Sequence, residues 1–403
     1  MKKILMLGGS KQQIPAIKKA KELGYYTITC DYLPDNPGHE FSDEYHNVST
    51  TDKEAVLALA SNLGIDGIVA YASDPAAPTA AYVAEKLGLP TSPYDSVEIL
   101  CNKDLFREYL SSHGFATPKA QGFSTLEGVM SKIDTFRFPV MVKPVDSSGC
   151  KGINRVDDPA GIEAAVQEAL YYSRKKRLIV EEFIKKKGYQ ISGDIFSVDG
   201  RLAFYSFGNE LYSSKGVKEY VALGEFWPSL LTKDIEKKLC DELQRLITGL
   251  GMKSTAYNVE AIVDESDTVY LMEVGPRNGG SYIPQLIELT TGVDLVEYTL
   301  KAAVGGDISD LKTMPTKGFY SNYMIMSKAE GKFNGIWYDP WFKEHCLLAE
   351  YCTCKEDEPV HVFENTTHSL GTILFRADSL EQMIKITSNM DDYFRVLSKD
   401  TCD

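Results

Sequence analysis

With 403 residues, 43% of them hydrophobic and 25% charged, the chain has an ordinary globular composition and length for several domains. Its net charge of −14 lacks the basic excess of a general nucleic-acid binder, and no apolar run approaches a membrane span or a signal-peptide core. Eight scattered cysteines, close together only at Cys352 and Cys354, lack zinc-site spacing and read as reduced thiols of a cytoplasmic protein.

The first ninety residues alternate short apolar strands with helices. Strands are expected at 3–7, 26–30 and 67–71, and helices at 13–23, 52–63 and 75–87, the first and last of these stopped by Gly24 and Gly88. That rhythm implies a doubly wound parallel sheet, with Asp31 at the carboxyl end of the second strand, where such sheets bind ligands. Gly8-Gly9-Ser10-Lys11-Gln12-Gln13 lacks the third glycine of a dinucleotide fingerprint, so a scaffold or substrate-binding lobe is expected instead. The same turn, at a helix N-terminus, is a candidate holder of an anionic substrate end. An amphipathic helix follows at 102–113. Next come a strand at 138–143, a helix at 159–173, a strand at 178–184, short strands over 189–225 and a helix at 233–250. A hairpin is expected from 254–263 and 268–274, and the tail mixes strands (321–326, 371–376) with a final helix from 380.

The chemistry-bearing residues cluster at strand ends. Pro139 to Gly152, PVMVKPVDSSGCKG, is a buried-type strand ending in Lys143 and dissolving into Ser147, Ser148, Gly149 and Gly152. A cation at such a lip calls for an anion, and small residues let backbone N–H groups close over phosphates. A Walker A loop would put its lysine after the glycines, and a protein kinase would need H-R-D and D-F-G, which are absent. Glu181 and Glu182 end the next apolar strand on opposite faces, so one of them can face a cleft. Glu260 and Glu273, each among apolar neighbours on the two strands of the hairpin, would share a face and suit divalent cations beside a polyphosphate. Arg277, four residues on, is placed to stabilise a transferring phosphoryl group or an acyl phosphate.

In order and spacing these motifs resemble the ATP-grasp superfamily of carboxylate–amine ligases, in the branch holding biotin carboxylase, the purine-biosynthetic enzymes and the L-amino-acid ligases. The resemblance covers residues 1–310 and extends to the tail. It implies an α/β and α+β fold: a parallel-sheet domain (1–95), a linker helix (96–114), a small lid domain (115–184), a large domain with the metal site (185–310) and an αβ appendage (311–403). By the same resemblance, Lys103 and Lys143 would bind nucleotide phosphates and the 147–152 loop would cover them. Residues Glu181, Glu182, Phe183 and Ile184 would form the adenine hinge, with main-chain groups of Phe183 and Ile184 on the base. Glu260 and Glu273 would hold magnesium and Arg277 would be the catalytic arginine. Two departures stand out. Gly275 replaces the asparagine of E-x-N-x-R, for which Asn278 is the substitute candidate, and Gln190 replaces a glutamate, keeping a bond to a ribose hydroxyl available.

Lys215, with Lys218 beside it, is a candidate to contact a substrate carboxylate. The implied cofactors are ATP and Mg²⁺, or Mn²⁺ in its place, and the implied partners a small carboxylate and an amine, with no nucleic acid or membrane; the appendage is expected either to close over substrate or to form a homodimer contact. The implied activity is ADP-forming C–N ligation through an acyl phosphate. Three alternatives stay open. One is a purine-pathway enzyme resembling phosphoribosylglycinamide synthetase or a ribonucleotide carboxylase. The others are a nicotinamide oxidoreductase built on residues 1–95 and a nucleotide-binding protein without catalysis, the last supported by Gly275 alone.

Overall fold

The structure, a computed structural model, describes residues 1–212 and 220–399. Two compact units make it up. The first comprises Met1–Tyr205, Leu231–Gly280 and Asp294–Thr313, and the second Ser206–Leu230, Ser281–Val293 and Met314–Asp403.

The first unit opens with β1 (Lys3–Leu7), α1 (Ile14–Glu22), β2 (Tyr26–Cys30), β3 (Glu44–His46), α2 (Lys53–Leu63), β4 (Gly67–Val69) and α3 (Ala77–Leu87). Its sheet runs β3-β2-β1-β4 with every pair parallel. The continuous apolar run of β1 suits a strand covered on both faces. Ile4 and Met6 pack with Ala16, Ile17 and Ala20 of α1 and with Val296 and Leu300, nearly three hundred residues later. β3, only three half-buried residues, carried no periodic signal, and the helix over residues 295–303 was not expected on this sheet.

Two donors of the glycine turn after β1 meet side chains of the same sheet and turn. Gly9 N–H donates to Asp31 Oδ2 at 3.1 Å, and Ser10 N–H donates to Gln13 Oε1 at 2.9 Å. Asp31 also accepts from Leu33 N–H and Asn36 Nδ2. Asp31 thus organises the loop.

Two helices follow, α4 (Tyr94–Cys101) and α5 (Lys103–Ser112), parted at Asn102, whose extended backbone ends one and opens the other. The expected helix over 102–113 is thus α5, and the linker helix expected over 96–114 is two helices, α4 and α5. Next comes an antiparallel sheet ordered β5-β8-β6-β7, from β5 (Ala120–Phe123), β6 (Val140–Pro144), β7 (Asn154–Val156) and β8 (Leu178–Glu182). Val140, Val142, Leu178 and Val180 face a core shared with α6 (Ile162–Tyr172), which the period-2 rule assigns to one side of these strands. Lys143 and Glu181 therefore emerge together on the other side. The unit continues with β9 (Ile191–Val198), α7 (Lys233–Gly249), β10 (Thr255–Val263), β11 (Val269–Gly275) and α8 (Leu295–Ala303). β10 pairs antiparallel with both β9 and β11.

In the second unit, Ala222–Trp227 pairs antiparallel with Phe319–Ile325, which pairs with Gly371–Ala377, itself beside Leu347–Cys352. Strands Pro359–Val360, Gly331–Tyr338 and Phe394–Lys399 form a separate small sheet. Trp227 is fully buried and donates its indole N–H to Ser206. Among the described residues no helix is long and apolar enough to cross a membrane.

One turn offers a direct test of this packing. A Cβ on Gly9 would meet the His39 ring at 2.1 Å, and that ring is held by Thr29 Oγ1 at 2.9 Å. Gly9→Ala is expected to cost about 1–3 kcal/mol in urea denaturation; an unchanged midpoint would contradict the packing.

Candidate functional site

Within the first unit lies a cavity of about 310 Å³ whose walls include Lys103, Ser147, Glu273, Gly275 and Asp74. Lys103 is placed by the start of α5, where its N–H donates to Val145 O at 3.0 Å, just past β6. Its ammonium pairs with Glu273 at 2.8 Å and lies 3.5 Å from Ser147 O. Burial pulls the Lys103 pKa down, but the carboxylates of Glu273, Asp74 and Glu260 outweigh it and hold the group above its ordinary value.

Glu260 and Glu273 stand directly opposite each other on β10 and β11. Glu260 accepts from Gln190 Nε2 at 3.1 Å, an amide rather than a cation. Burial first, and the neighbouring Glu273 second, push the Glu260 carboxyl up to about 7. Two carboxylates side by side are hard oxygen donors and fit a divalent cation of the magnesium type. Among the described residues no cluster of three or more His, Cys, Asp or Glu adds further ligands.

Lys143 pairs with Glu181, whose other oxygen takes Arg107 Nε at 2.9 Å. Arg107 also donates to Leu271 O at 3.3 Å. Glu181 is 2% exposed; burial opposes its charge, and the two cations overcome it, holding the carboxyl down at about 2. Arg277 is gripped in turn by Asp74, with Nε and Nη2 each 2.7 Å from a carboxylate oxygen. Buried Asp194 accepts the Gly279 N–H at 2.8 Å and Asn258 Nδ2 at 3.1 Å, fixing the turn after Arg277. Desolvation pushes its carboxyl up to about 6.

Several expected residues lie elsewhere. Glu182 turns from the lysines to Arg137, which reaches it through Nη2 at 2.7 Å and its backbone N–H at 3.0 Å. The Phe183 N–H, an expected base contact, is committed to Pro139 O at 3.0 Å, while the Phe183 ring is exposed under Arg155 and Ile184 is half-buried. Ser148, Gly149 and Gly152 follow Ser147 in the loop between β6 and β7, with both glycines at left-handed φ (70° and 69°). Asn278 is fully buried and, with Arg277, lines a second cavity of about 90 Å³, its Oδ1 accepting from Thr299 at 2.8 Å. Lys215 and Lys218 lie outside the described residues.

Sequence reasoning missed Arg107, Asp74 and Asp194. Arg107 left a signal: Asp104, Arg107 and Leu110 recur at helical spacing on the buried face of α5, and a cation there requires an acid. Asp74 and Asp194 left none, since each meets its partners across more than sixty residues.

Two outcomes follow from these charges. Arg107→Ala strands Glu181 beside Lys143 alone and is expected to cost about 3–5 kcal/mol near neutral pH. Because the folded pKa of Glu181 is depressed, its contribution is complete above about 4.3 and disappears as pH falls toward 2, so the stability gap between wild type and variant must close over that range. Glu260 runs the other way. Its raised pKa costs nothing below the unfolded value and penalises folding increasingly as pH rises through about 7. In chelator, Glu260→Gln is therefore expected to melt higher than wild type at about pH 8 and level with it near pH 4; the reverse order would contradict the electrostatics.

The family described as carbamoyl-phosphate synthase L chain, ATP binding domain, matches residues 102–311, just over half of the chain. The chain is 23% identical over 303 residues to the carbamoyl phosphate synthase large chain of Clostridium botulinum (strain Langeland), which covers 74% of this chain but only 28% of that protein. It is 26% identical over 307 residues to the formate-dependent phosphoribosylglycinamide formyltransferase of Rhodococcus jostii, covering 68% of each. Its fold matches that of the L-amino acid ligase from Bacillus licheniformis with a TM-score of 0.83 at 22% identity, over 99% of both chains. It likewise matches the biotin carboxylase domain of the Hydrogenobacter thermophilus 2-oxoglutarate carboxylase, a structure holding MgADP and bicarbonate, with a TM-score of 0.76 at 17% identity over 98% of this chain and 91% of that one. The chain belongs to the carbamoyl-phosphate synthase L chain ATP-binding domain family, and through it to the ATP-grasp ligases.

Proposed function

We propose that this protein uses ATP to join a small carboxylate to an amine, releasing ADP and phosphate. The observation that carries the reading is the single cavity wall on which Lys103, Ser147 and Glu273 meet, with Glu260 directly across the strand pair from Glu273. Lys103 and Lys143 would neutralise the nucleotide phosphates, Lys143 by exchanging Glu181 for a phosphate oxygen. Glu260 and Glu273 would hold Mg²⁺, which, when bound, supplies charge neutralisation to the phosphates. The substrate carboxylate attacks the γ-phosphorus and ADP leaves; the amine then attacks the acyl carbon, phosphate leaves and the nitrogen gives up its proton. Arg277 would steady the charge on the transferring group. Positioning and charge stabilisation are what this arrangement offers, with no covalent role asked of a side chain.

A second reading, an amine borne on a phosphoribosyl group, draws support from the Rhodococcus relative and from Lys53 on the same cavity wall. Lys53 bonds the Tyr94 hydroxyl at 3.2 Å and lies 4.5 Å from the centre of the Tyr82 ring; no ion pair engages it among the described residues. A cation held in that way suits an anionic substrate end.

The test is incubation with Mg-ATP and pooled amino acids, small carboxylates and phosphoribosyl amines, with ADP and AMP quantified. ADP that requires the pool and falls about 10²–10³-fold in Lys143→Ala supports the reading. AMP in place of ADP would contradict the acyl-phosphate route.

A further inference from the structure

Strand β11 ends Glu273-Val274-Gly275 and turns through Pro276 into Arg277. The backbone does not demand glycine at 275, because its φ lies outside the left-handed region. What excludes a side chain is Asp74. A Cβ at this position would stand 2.8 Å from Asp74 Oδ1 and 3.5 Å from Arg277 Nε. That same Oδ1 accepts the Arg277 Nε–H, Oδ2 accepts from Nη2, and Nη1 donates to Asn278 O at 3.0 Å. Both side chains are largely buried, Arg277 at 10% and Asp74 at 20% exposure. A guanidinium held by two parallel bonds and a third to the main chain has its plane fixed.

Asp74 arrives from far away. It sits in the short turn after β4 of the N-terminal sheet, 203 residues before its partner. We infer that Asp74 is the positioning residue of Arg277, and that residue 275 is glycine so that the Asp74 carboxylate can reach the guanidinium. The parallel-sheet domain thereby does more than scaffold: through Asp74, which lines the cavity of about 310 Å³, it orients Arg277. The catalytic meaning of this coupling rests on the ligase reading; the coupling itself does not.

The experiment is a double-mutant cycle with a spectroscopic arm, and neither readout needs a substrate, so its failure is distinct from absence of ligase activity. Wild type, Gly275→Ala, Asp74→Ser and the double variant are compared by thermal melting. Gly275→Ala is expected to lower the melting temperature by about 3 °C or more in the wild-type background and by less than about 1 °C in the Asp74→Ser background. In parallel, the arginine Nε–H cross-peak of Arg277, assigned by its loss in Arg277→Lys, is followed in ¹H–¹⁵N spectra. It should shift in Asp74→Asn, which keeps the shape but loses the charge, and vanish or move further in Asp74→Ser and Gly275→Ala. Equal melting costs in both backgrounds would overturn the role given to Gly275. A cross-peak indifferent to Asp74→Asn and Asp74→Ser would overturn the role given to Asp74.

Discussion

A carboxylate that is nearly sealed from water must find its charge balance inside the protein, and Glu181 finds it twice over. Arg107 approaches from α5 and Lys143 from β6, and Arg107 also reaches the Leu271 carbonyl on β11. Removing such a charge from water costs several kcal/mol unless both oxygens are satisfied, so none of these partners can drift without penalty. The three elements it ties together each deliver a residue of the candidate site. α5 begins with Lys103, β6 carries Lys143, and β11 carries Glu273 two residues beyond Leu271. The geometry of the cavity wall thus depends on one buried acid that does not itself line it.

The remaining charges follow a common rule. Lys103 rests on Glu273, Lys143 on Glu181 and Arg277 on Asp74. Glu260 alone among these four acids is met by an amide, Gln190, and its carboxyl is the one pushed up to about 7. A polyphosphate entering here would compete with carboxylates for the lysines, and a divalent cation would offset the charge of the acids so released. The arrangement is balanced within itself and suited to partner exchange.

Much of this was readable from local pattern. The apolar strand β6 ending in Lys143 and the hairpin of β10 and β11 that brings Glu260 and Glu273 to one face are both legible in the sequence. What local pattern could not decide was direction and distance. Alternation says that Glu181 and Glu182 diverge, yet only the positions of Arg107 and Arg137 settle which acid joins the lysines. Asn278 sits beside Arg277 in sequence, and only the turn fixed by Asp194 buries its side chain against Thr299. Asp74 has no periodic or motif signature at all; its role exists only once β4 and β11 are folded together.

The central claim is that Lys103 and the Glu260–Glu273 pair form one nucleotide-phosphate and divalent-cation site. Calorimetric titration of ADP, in Mg²⁺ and again in chelator, tests it most directly, on wild type and on Glu260→Gln. The account predicts binding at least about 10-fold tighter with Mg²⁺, and a difference that shrinks in the variant. ADP that binds equally well in both conditions, or not at all, would contradict it.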